Sequence, residues 1–405
     1  MKVSCLQENL NRGLGIVSHA VAARTTLPIT QNVLLSTDQG GLRLSATNLE
    51  IAMSVWIGAQ VEEEGSLTVP ARLLNDFVSS LPAERVDLDS TGGAARGAPA
   101  RREGSGGRVI HIKCARVETR INGTDADEFP PIPQVQGGAV VKFDPQVLRT
   151  TIGQVAIAAA TEDSRPVLTG VKVELEGDRF TFAAADGFRL AVRTGSLKEP
   201  CGEPVQFILP AKTLAEVNRL LPDASRGGEP VELLVAPNKS QVLFRFAAGG
   251  AGHGQVELVS QLIQGAFPNY KQLIPEAKQT RATVRVADFQ RTVRTASIFA
   301  RDGGGLVRIH VLPGSPGVLR AVARAEELGE TVSELDAKVE GPEAKIAFSS
   351  RYLSEVLQVL GTDEVYLDVT TPSSPGVFRP VVAAGQNGAD SLVYTHVVMP
   401  MFVQW

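Results

Sequence analysis

The side chains that most often perform catalysis or bind metals are few and scattered in this chain. Histidine occurs at positions 19, 111, 253, 310 and 396, and none has a second His, Cys or carboxylate at the spacing of a HExxH-type site. Cys5, Cys114 and Cys201 are odd in number and far apart, which argues for a reducing compartment and against a disulfide framework or thiolate metal site. We therefore expect neither a metal nor a cofactor.

Catalytic sequence motifs are also missing. The chain has no GxSxG, no GxxxxGK[ST] and no GxGxxG that opens a helix, and we interpret GGAGHG at 249–254 and GGGLV at 303–307 as turns. Asp186-Gly187 resembles a turn at the end of a strand more than a catalytic loop. We predict a protein that is not an enzyme, and we keep an inter-domain catalytic site around Asp186 and Arg189 as an alternative.

Positive charge recurs at one position of a repeated segment. VPARLLNDFVSSLP, LPAKTLAEVNRLLP and FSSRYLSEVLQVLG begin at residues 69, 209 and 348, so their starts are 209 − 69 = 140 and 348 − 209 = 139 residues apart. Arg72, Lys212 and Arg351 occupy the same place in each, in the predicted first turn of a helix, where the helix dipole disfavours a cation. The repetition suggests an external anion, whereas coverage of apolar surface by long side chains is the simpler alternative.

Two helices in each repeat position these residues. Each of the three repeats contains one helix with a core stripe at i, i+4, i+7 and i+11, and a second, shorter one. The first stripes are Leu10, Leu14, Val17 and Val21; Leu148, Ile152, Val155 and Ala159; and Phe289, Val293, Ala296 and Ala300. The second are Leu74, Phe77 and Leu81; Leu214, Val217 and Leu221; and Leu353, Val356 and Leu360. Asp144 is a candidate N-cap, with Pro145 at the first helical position.

Strands fill the rest of each repeat. NVLLSTDQGGLRLSAT, GVKVELEGDRFTFAAAD and LVRIHVLPGSPGVLRAVA each contain two alternating runs joined by a Gly-containing turn, which predicts hairpins. The period is the size of a domain. We therefore predict an α+β protein with three tandem copies of one domain, at 1–137, 138–276 and 277–405. Residues 91–107, TGGAARGAPARREGSGG, read as a flexible hairpin insertion in the first copy; a contact of its arginines with nucleic acid stays open.

Composition bounds the cellular setting. The 405 residues carry a formal net charge of −4, so the protein is not a bulk polycation. No apolar run approaches the length of a membrane span, and MKVSCLQENL lacks the apolar core of a signal peptide. We expect a cytoplasmic protein without membrane contact.

The third copy adds a cationic helix face and an unusual apolar pair. In ADFQRTVRTASIFARD, Arg291, Arg294 and Arg301 lie on a different face from the core stripe, while Arg12, Arg24 and Arg149 lie on or beside the corresponding helices. Cations on the helices of every copy suit a polyanion bound through phosphates, without reading of bases. Ile298 and Phe299 are large and off the core stripe, which is more typical of a subunit contact.

Several segments, in order, resemble the bacterial DNA sliding clamp family, the beta subunit of DNA polymerase III, over essentially the whole chain. The matching stretches are TTLPITQNVLL at 25–35, LSATNLEIAM at 44–53, TVPARLLNDFVSSLP at 68–82, AADGFRLAV at 184–192, FPNYKQLIP at 267–275 and HVVMPM at 396–401. The resemblance implies a head-to-tail homodimer of three-domain subunits that closes into a ring, with helices lining the hole and antiparallel sheets outside. It implies a non-catalytic processivity factor that encircles duplex DNA irrespective of sequence, binds the replicative polymerase and other proteins, and is opened by an ATP-dependent clamp loader.

The resemblance also implies three sets of site residues. An apolar peptide-binding cleft would comprise Leu168, Gly187, Phe188, Arg189, Leu190, Pro268, Leu273, Val397, Val398, Met399, Pro400 and Met401. The dimer interface would bring Ile298 and Phe299 against the strand around Ile121 of a second subunit. DNA-facing candidates, from the cation pattern and the resemblance together, are Arg24, Arg72, Arg149, Lys212, Arg291, Arg294 and Arg351.

The chain departs from the family pattern in places, and alternatives stay open. Phe402 replaces a basic residue that often follows the final Met, the chain runs on to Trp405, and Gln272 stands where a basic residue is expected at the cleft edge. Pro166 and Val167 replace an aromatic pair proposed to contact DNA, and cannot stack on bases as aromatics do. A static, sequence-independent DNA-binding protein and a clamp paralogue with a specialised partner are the other interpretations.

Overall fold

A computed structural model describes residues 1–90, 108–162, 164–221, 229–247, 253–301, 304–325, 327, 329–382 and 393–403. The predicted insertion at 91–107 lies outside the described residues, as do Gln404 and Trp405 of the C-terminal tail. None of the described helices combines the length and the apolar character needed to cross a membrane.

The first copy contains both predicted helices and the predicted hairpin. Leucines alternate with polar residues through residues 42–45 of the hairpin, and Leu35, Leu42 and Leu44 are fully buried. In chain order the elements are β1 Lys2–Leu6, α1 Gln7–Val17, β2 Asn32–Asp38, β3 Gly41–Thr47, β4 Ile51–Ile57, β5 Ala59–Glu63, β6 Ser66–Pro70, α2 Ala71–Ser79, β7 Arg85–Asp89, β8 Arg108–Cys114 and β9 Val117–Gly123.

The second copy follows a similar order, with four strands between its helices where the first copy has five, and it has the predicted helix start. The Asp144 carboxylate accepts hydrogen bonds from the amides of Gln146 (2.9 Å) and Val147 (3.3 Å), and Pro145 is the first helical residue, which confirms the predicted cap. The elements are β10 Ala139–Phe143, α3 Pro145–Val155, β11 Gly170–Glu176, β12 Arg179–Ala185, β13 Arg189–Ser196, β14 Val205–Pro210, α4 Ala211–Leu220, β15 Val231–Val235, β16 Gln241–Ala247 and β17 His253–Gln261.

The third copy has the longest helix and the longest strand of the described residues. The elements are β18 Thr280–Arg285, α5 Val286–Ala300, β19 Leu306–Leu312, β20 Gly317–Ala325, β21 Gly329–Glu340, β22 Ala344–Ser349, α6 Ser350–Val359, β23 Glu364–Val369, β24 Gly376–Pro380 and β25 Val393–Val398. The predicted stripe of α5, Phe289, Val293, Ala296 and Ala300, is fully buried. The 3.6-residue periodicity therefore identified the core face of this helix.

The other helix stripes are also buried, except for Val21 and Phe77. Val21 lies beyond the end of α1, after a short 3₁₀ turn at Ser18–Ala20, and is half-buried. Phe77 of α2 is half-buried as well. The stripe residue Ala159 likewise lies beyond the end of α3, after a 3₁₀ turn at Ala156–Ala158. Periodicity therefore identified these helices and overestimated the lengths of α1 and α3.

Contacts between residues divide the chain into two compact units. The first comprises Met1–Leu148 and Glu216–Leu262, and the second Arg149–Ala215 and Ile263–Trp405. The first unit contains a five-stranded sheet, β5-β1-β7-β8-β9, and an eight-stranded sheet, β10-β15-β16-β17-β4-β3-β2-β6. The second contains a twelve-stranded sheet, β14-β11-β12-β13-β25-β24-β23-β18-β21-β20-β19-β22.

Each unit includes a pairing between strands of consecutive copies. In the first unit β4 pairs antiparallel with β17, and in the second β13 pairs antiparallel with β25. The first strand of each pair is the third strand after the first helix of its copy, and the second strand is the last of the next copy. We call these pairings the first and second junctions. Because the sheets continue across the predicted limits of the copies, those limits remain a prediction.

The two junctions are related by a constant offset in numbering. Helices α1 and α3 begin at Gln7 and Pro145 (145 − 7 = 138), and strands β2 and β11 at Asn32 and Gly170 (170 − 32 = 138). The rung Val55–Val256 of the first junction corresponds to the rung Arg193–Tyr394 of the second, again at 193 − 55 = 138 and 394 − 256 = 138. Equivalent residues can therefore be compared directly.

Candidate partner-binding and nucleic-acid surfaces

The turn between β12 and β13 is held by Asp186. Its Oδ1 accepts hydrogen bonds from the amides of Phe188 (2.9 Å) and Arg189 (3.0 Å), and its Oδ2 accepts one from Arg189 Nε at 3.0 Å. Gly187 has φ +94, in the left-handed region that favours glycine. Asp186 therefore stabilises a turn, as predicted, and both of its oxygens are occupied.

Arg189 is the buried centre of a charged cluster in the second unit. Its guanidinium bonds to Asp186 and to Glu355 on α6 and lies 4.5 Å from the ring centroid of Tyr352. Glu355 also accepts a hydrogen bond from Arg351 Nε at 2.8 Å. Burial alone would raise the pKa of Glu355, but the bonds from Arg351 and Arg189 hold that pKa below its usual range. The cluster therefore fastens the β12–β13 turn to α6.

The floor of the predicted cleft is an apolar cluster on the junction strands. Leu190 and Val397 pair directly across β13 and β25, and both are buried. The segment that precedes β18 packs against them through Phe267, Tyr270 and Ile274. The Tyr270 hydroxyl bonds to Glu174, and Lys172 Nζ lies 2.9 Å from the same carboxylate. Burial, followed by the bond to Glu174, raises the pKa of Tyr270.

The rim of the cleft is exposed and apolar. Phe188, Leu273 and Met399 are 63%, 51% and 44% exposed. The amide of Met399 donates to the carbonyl of Phe188 at 2.8 Å, and that of Met401 donates to the carbonyl of Ala347 at 2.8 Å. These bonds hold the chain end in place up to Phe402, which is 98% exposed. An anchored apolar rim over a buried floor is suited to binding an apolar peptide.

The predicted cleft residues therefore divide into a floor and a rim. Their classes of exposure are as follows: buried Leu168, Arg189, Leu190, Val397 and Val398; half-buried Pro400 and Met401; exposed Gly187, Phe188, Pro268, Leu273 and Met399. Gln272, which replaces the expected basic residue, is exposed. The sequence pattern did not indicate the Arg189–Glu355 bond, because the two residues are 166 positions apart.

The repeated cations lie where the sequence predicted. Arg72, Lys212 and Arg351 are each the second residue of their helix, in α2, α4 and α6, and each is exposed. Sequence reasoning overlooked a carboxylate four residues after each cation: Asp76, Glu216 and Glu355. In the third copy this carboxylate already pairs with Arg351. Such i,i+4 pairs stabilise a helix modestly and leave part of the positive charge available to solvent.

The remaining DNA-facing candidates differ in exposure. Arg24 is exposed, and so are Arg291 and Arg294 on the α5 face opposite the core stripe. Arg291 Nη1 lies 3.5 Å from Asp288 Oδ1. Arg149 of α3 is half-buried, and its accessibility to a polyanion is lower than the sequence suggested.

The predicted interface residues also differ from one another. Ile298 is 64% exposed, as expected for a contact with another subunit. Phe299 is half-buried, and Ile121 on β9 is buried within its own copy. The strand that carries Ile121 is nevertheless the end strand of the five-stranded sheet.

The described part of the chain contains no group of three His, Cys, Asp or Glu side chains able to hold a metal ion. Cys5, Cys114 and Cys201 are buried and unpaired with one another. Burial is the main cause that raises the pKa of the Cys5 thiol to about 12, so this group is not an activated nucleophile.

Three domain families match consecutive parts of the chain. They are the N-terminal, central and C-terminal domains of the DNA polymerase III beta subunit, over residues 1–133, 142–269 and 271–401. The chain belongs to the DNA polymerase III beta subunit family. This confirms the predicted family, the three tandem clamp domains and the role of a non-catalytic processivity factor in DNA replication.

Individual members of this beta subunit family are similar over nearly the full length. The beta sliding clamp of Synechocystis is 31% identical over 417 residues, which cover 99% of each chain. The sliding clamp structure from Bacillus subtilis has a TM-score of 0.87 at 25% identity and covers 100% of both chains. A clamp structure from Pseudomonas aeruginosa bound to griselimycin has a TM-score of 0.84 at 25% identity, with 100% of both chains covered.

Proposed function

We propose that this chain is a sliding clamp that closes as a head-to-tail homodimer around duplex DNA and carries partner proteins in its apolar cleft. The repetition of the junction pairing is the observation that supports the ring. The third strand after the first helix of one copy pairs with the last strand of the next copy, twice in the chain. The third strand after the first helix of the third copy is β21, and the last strand of the first copy is β9. A third pairing of the same kind would therefore join β21 of one subunit to β9 of another. Head-to-tail contacts of this kind close into a ring when their rotation permits it.

Both of these strands offer an edge for such pairing. In the described residues β9 is the end strand of its sheet, and β21 pairs with β18 only from Lys338 to Glu340. β20 pairs with β21 along one edge. The opposite edge of β21, before Lys338, therefore has no neighbouring strand in the described part of the chain, a state that proteins usually avoid. Val117 on β9 and Val332 on β21 are exposed, and α5, which carries Ile298 and Phe299, packs against β21. We propose that these elements form the dimer interface.

The cations on the helices, together with Arg24 beyond the end of α1, would contact the DNA. Arg24, Arg72, Lys212, Arg291, Arg294 and Arg351 are exposed, with Arg149 in a supporting position. Contacts to phosphates carry no sequence information, so they suit a ring that must move along any sequence. The net charge of −4 would oppose tight static binding to DNA. Topological linkage, rather than affinity, would retain the protein.

The cleft would bind apolar peptides from the replicative polymerase and other partners. The exposed rim of Phe188, Leu273 and Met399 over the floor of Leu190 and Val397 supports this assignment. Griselimycin is bound in a structure of the Pseudomonas aeruginosa clamp, and we use it as the probe ligand for the proposed cleft. We further propose that an ATP-dependent clamp loader opens the ring, that the protein acts in the cytoplasm, and that the copies span 1–137, 138–276 and 277–405.

Retention on DNA of two topologies tests the ring. The protein is loaded onto nicked circular DNA with a clamp loader and ATP, the complex is isolated, and half of it is linearised. We expect the protein to stay on circles and to leave linear DNA through its ends. Equal retention on both forms would contradict topological linkage and favour a static DNA-binding protein.

A further inference from the structure

A buried polar network lies at the second junction, beneath the cleft. Arg193 of β13 donates to the side-chain oxygen of Gln154 on α3. The Gln154 amide donates in turn to the Val359 carbonyl at the end of α6 (2.8 Å). From β25, the Tyr394 hydroxyl donates to the Gln154 carbonyl (3.1 Å) and lies 2.8 Å from His396 Nδ1. The four side chains thus join two helices and the two junction strands.

The first junction has the same backbone and none of these polar groups. The residues that correspond to Gln154, Arg193, Tyr394 and His396 at the offset of 138 are Ile16, Val55, Val256 and Leu258. Val55, Val256 and Leu258 are fully buried, and the strands pair in the same register. The fold of a junction therefore does not require the network.

The network is a costly way to stabilise a junction. Arg193, Tyr394 and His396 are buried, and Arg193 Nε and His396 Nε2 have no hydrogen-bond partner among the described residues. Unpaired buried polar atoms destabilise a protein, and apolar replacement of a buried polar network is often neutral or stabilising. Hydrogen bonds, however, are directional, whereas apolar contacts are not, so a network can restrict a junction to one geometry.

The network lies directly behind the cleft. His396 is adjacent in sequence to Val397 of the floor. The chain then leaves β25 and runs through Met399 of the rim to Met401 near its end. The same strand is held on its other side by pairing of Phe378 on β24 with His396. A shift of β25 against β13 would displace floor and rim together.

We propose that Gln154, Arg193, Tyr394 and His396 are positioning residues that hold β25 in one register against α3 and α6 and thereby preform the peptide cleft. The proposal rests on the cleft function proposed above. It explains why the polar network occurs at the junction with the exposed rim, while the apolar version suffices at the other.

The test uses the full chain with Gln154→Leu and Arg193→Met together, which removes the network's centre and keeps apolar bulk. We expect griselimycin to bind at least tenfold more weakly than to the original protein. Exchange of the backbone amide hydrogens of Val397, Met399 and Met401 should accelerate by a similar factor without ligand. The midpoint of thermal unfolding should be retained or rise.

The matched control is Phe180→Leu, which shortens a buried side chain of the same unit on β12, away from the cleft rim. This variant should lower the unfolding midpoint and keep both griselimycin affinity and slow exchange. Unchanged affinity and exchange in the double variant would overturn the proposal, as would losses equal to those of Phe180→Leu. If the original protein does not bind griselimycin, the proposed cleft function is contradicted, while amide exchange still decides the positioning role.

Discussion

The two junctions share a backbone but present different surfaces. At the first, Asn48 Oδ1 accepts hydrogen bonds from the amides of Glu50 (3.0 Å) and Ile51 (2.9 Å), as Asp186 does from the two equivalent amides at the second. Ile51 takes the place of Arg189, so the first junction has no counterpart of the bond to Glu355. The same local turn geometry therefore serves a junction without this charged cluster and a junction with it.

The surroundings of the floor differ as well. The rung Ala52–Val259 of the first junction is covered by Ile132 and Val135, whereas the larger pair Leu190–Val397 is covered by Phe267 and Tyr270. After β25 the chain continues through Met399 to the exposed Phe402. If the second junction binds peptides as proposed, that capacity comes from residues present at this junction alone, and not from the shared scaffold. The following predictions test that difference, beginning with the largest effect.

The largest effect is expected from a charge in the rim. Met399→Asp places a carboxylate in the rim, where a bound apolar ligand would bury it without a partner. This burial should weaken griselimycin binding roughly 100-fold or more. Calorimetric titration measures the affinity. Leu49→Asp makes the same kind of change in the exposed turn of the first junction and should leave binding unchanged. Equal losses in both variants would show that the two junctions do not differ in ligand binding.

The buried His396 at the second junction should make the free energy of unfolding depend on pH. Burial, reinforced by the nearby charge of Arg189, lowers the pKa of His396 from its usual 6.5 to about 3. The neutral ring is favoured in the folded state, so its contribution is present above pH 6.5 and is lost as pH falls toward 3. The free energy of unfolding should fall by about 2 kcal/mol between pH 7 and pH 5 from this group.

Urea unfolding of the original protein and of His396→Leu measures this term. Leucine occupies the equivalent position, 258, in the first junction and does not titrate. The variant should lose less stability on acidification than the original protein. Parallel pH profiles for the two proteins would contradict a neutral buried His396.

Glycine should be the more stable residue at both of the equivalent turn positions. Leu49 and Gly187 are equivalent and have φ +76 and +94. Gly187→Ala should destabilise by about 1 kcal/mol because a Cβ strains this backbone, whereas Leu49→Gly should relieve strain and stabilise by up to about 1 kcal/mol. Urea unfolding measures both changes. Destabilisation by Leu49→Gly would indicate that contacts of the leucine side chain outweigh its backbone strain.

The smallest effect is expected from the chain end. Phe402 is almost fully exposed, so Phe402→Ala should leave the unfolding midpoint unchanged. If ligands cover part of its ring, griselimycin affinity should fall by about two- to tenfold, the loss expected for partial burial of an aromatic side chain. Phe402→Leu is the control and should retain most of the affinity. No change in the alanine variant would place Phe402 outside the cleft.

Much of the fold followed from local patterns. The buried stripe of α5, the three hairpins, the Asp144 cap and the Asp186-Gly187 turn were all predicted and are all present. Periodicity and turn chemistry act over a few residues, so they can be read without the rest of the chain. The position of the repeated cations was predicted for the same reason, but their i,i+4 carboxylates were not considered.

The site could be predicted only in part. The cleft residues came from the family resemblance, and the division into buried floor and exposed rim did not follow from their types. Ile121 and Arg149 were expected to be accessible, yet Ile121 is buried and Arg149 is half-buried. Exposure depends on which elements cover a residue, and those elements are distant in sequence.

The sequence by itself determined the repeat, the helices and hairpins within it, and the absence of any recognisable catalytic motif, because these depend on residue types at short spacing. Only the tertiary structure decided that β4 pairs with β17 and β13 with β25, that Arg189 reaches Glu355, and that Gln154, Arg193, Tyr394 and His396 meet in one network. Such pairings join residues up to about 240 positions apart. They are selected by the complementarity of whole surfaces in the packed protein, which short-range patterns do not encode.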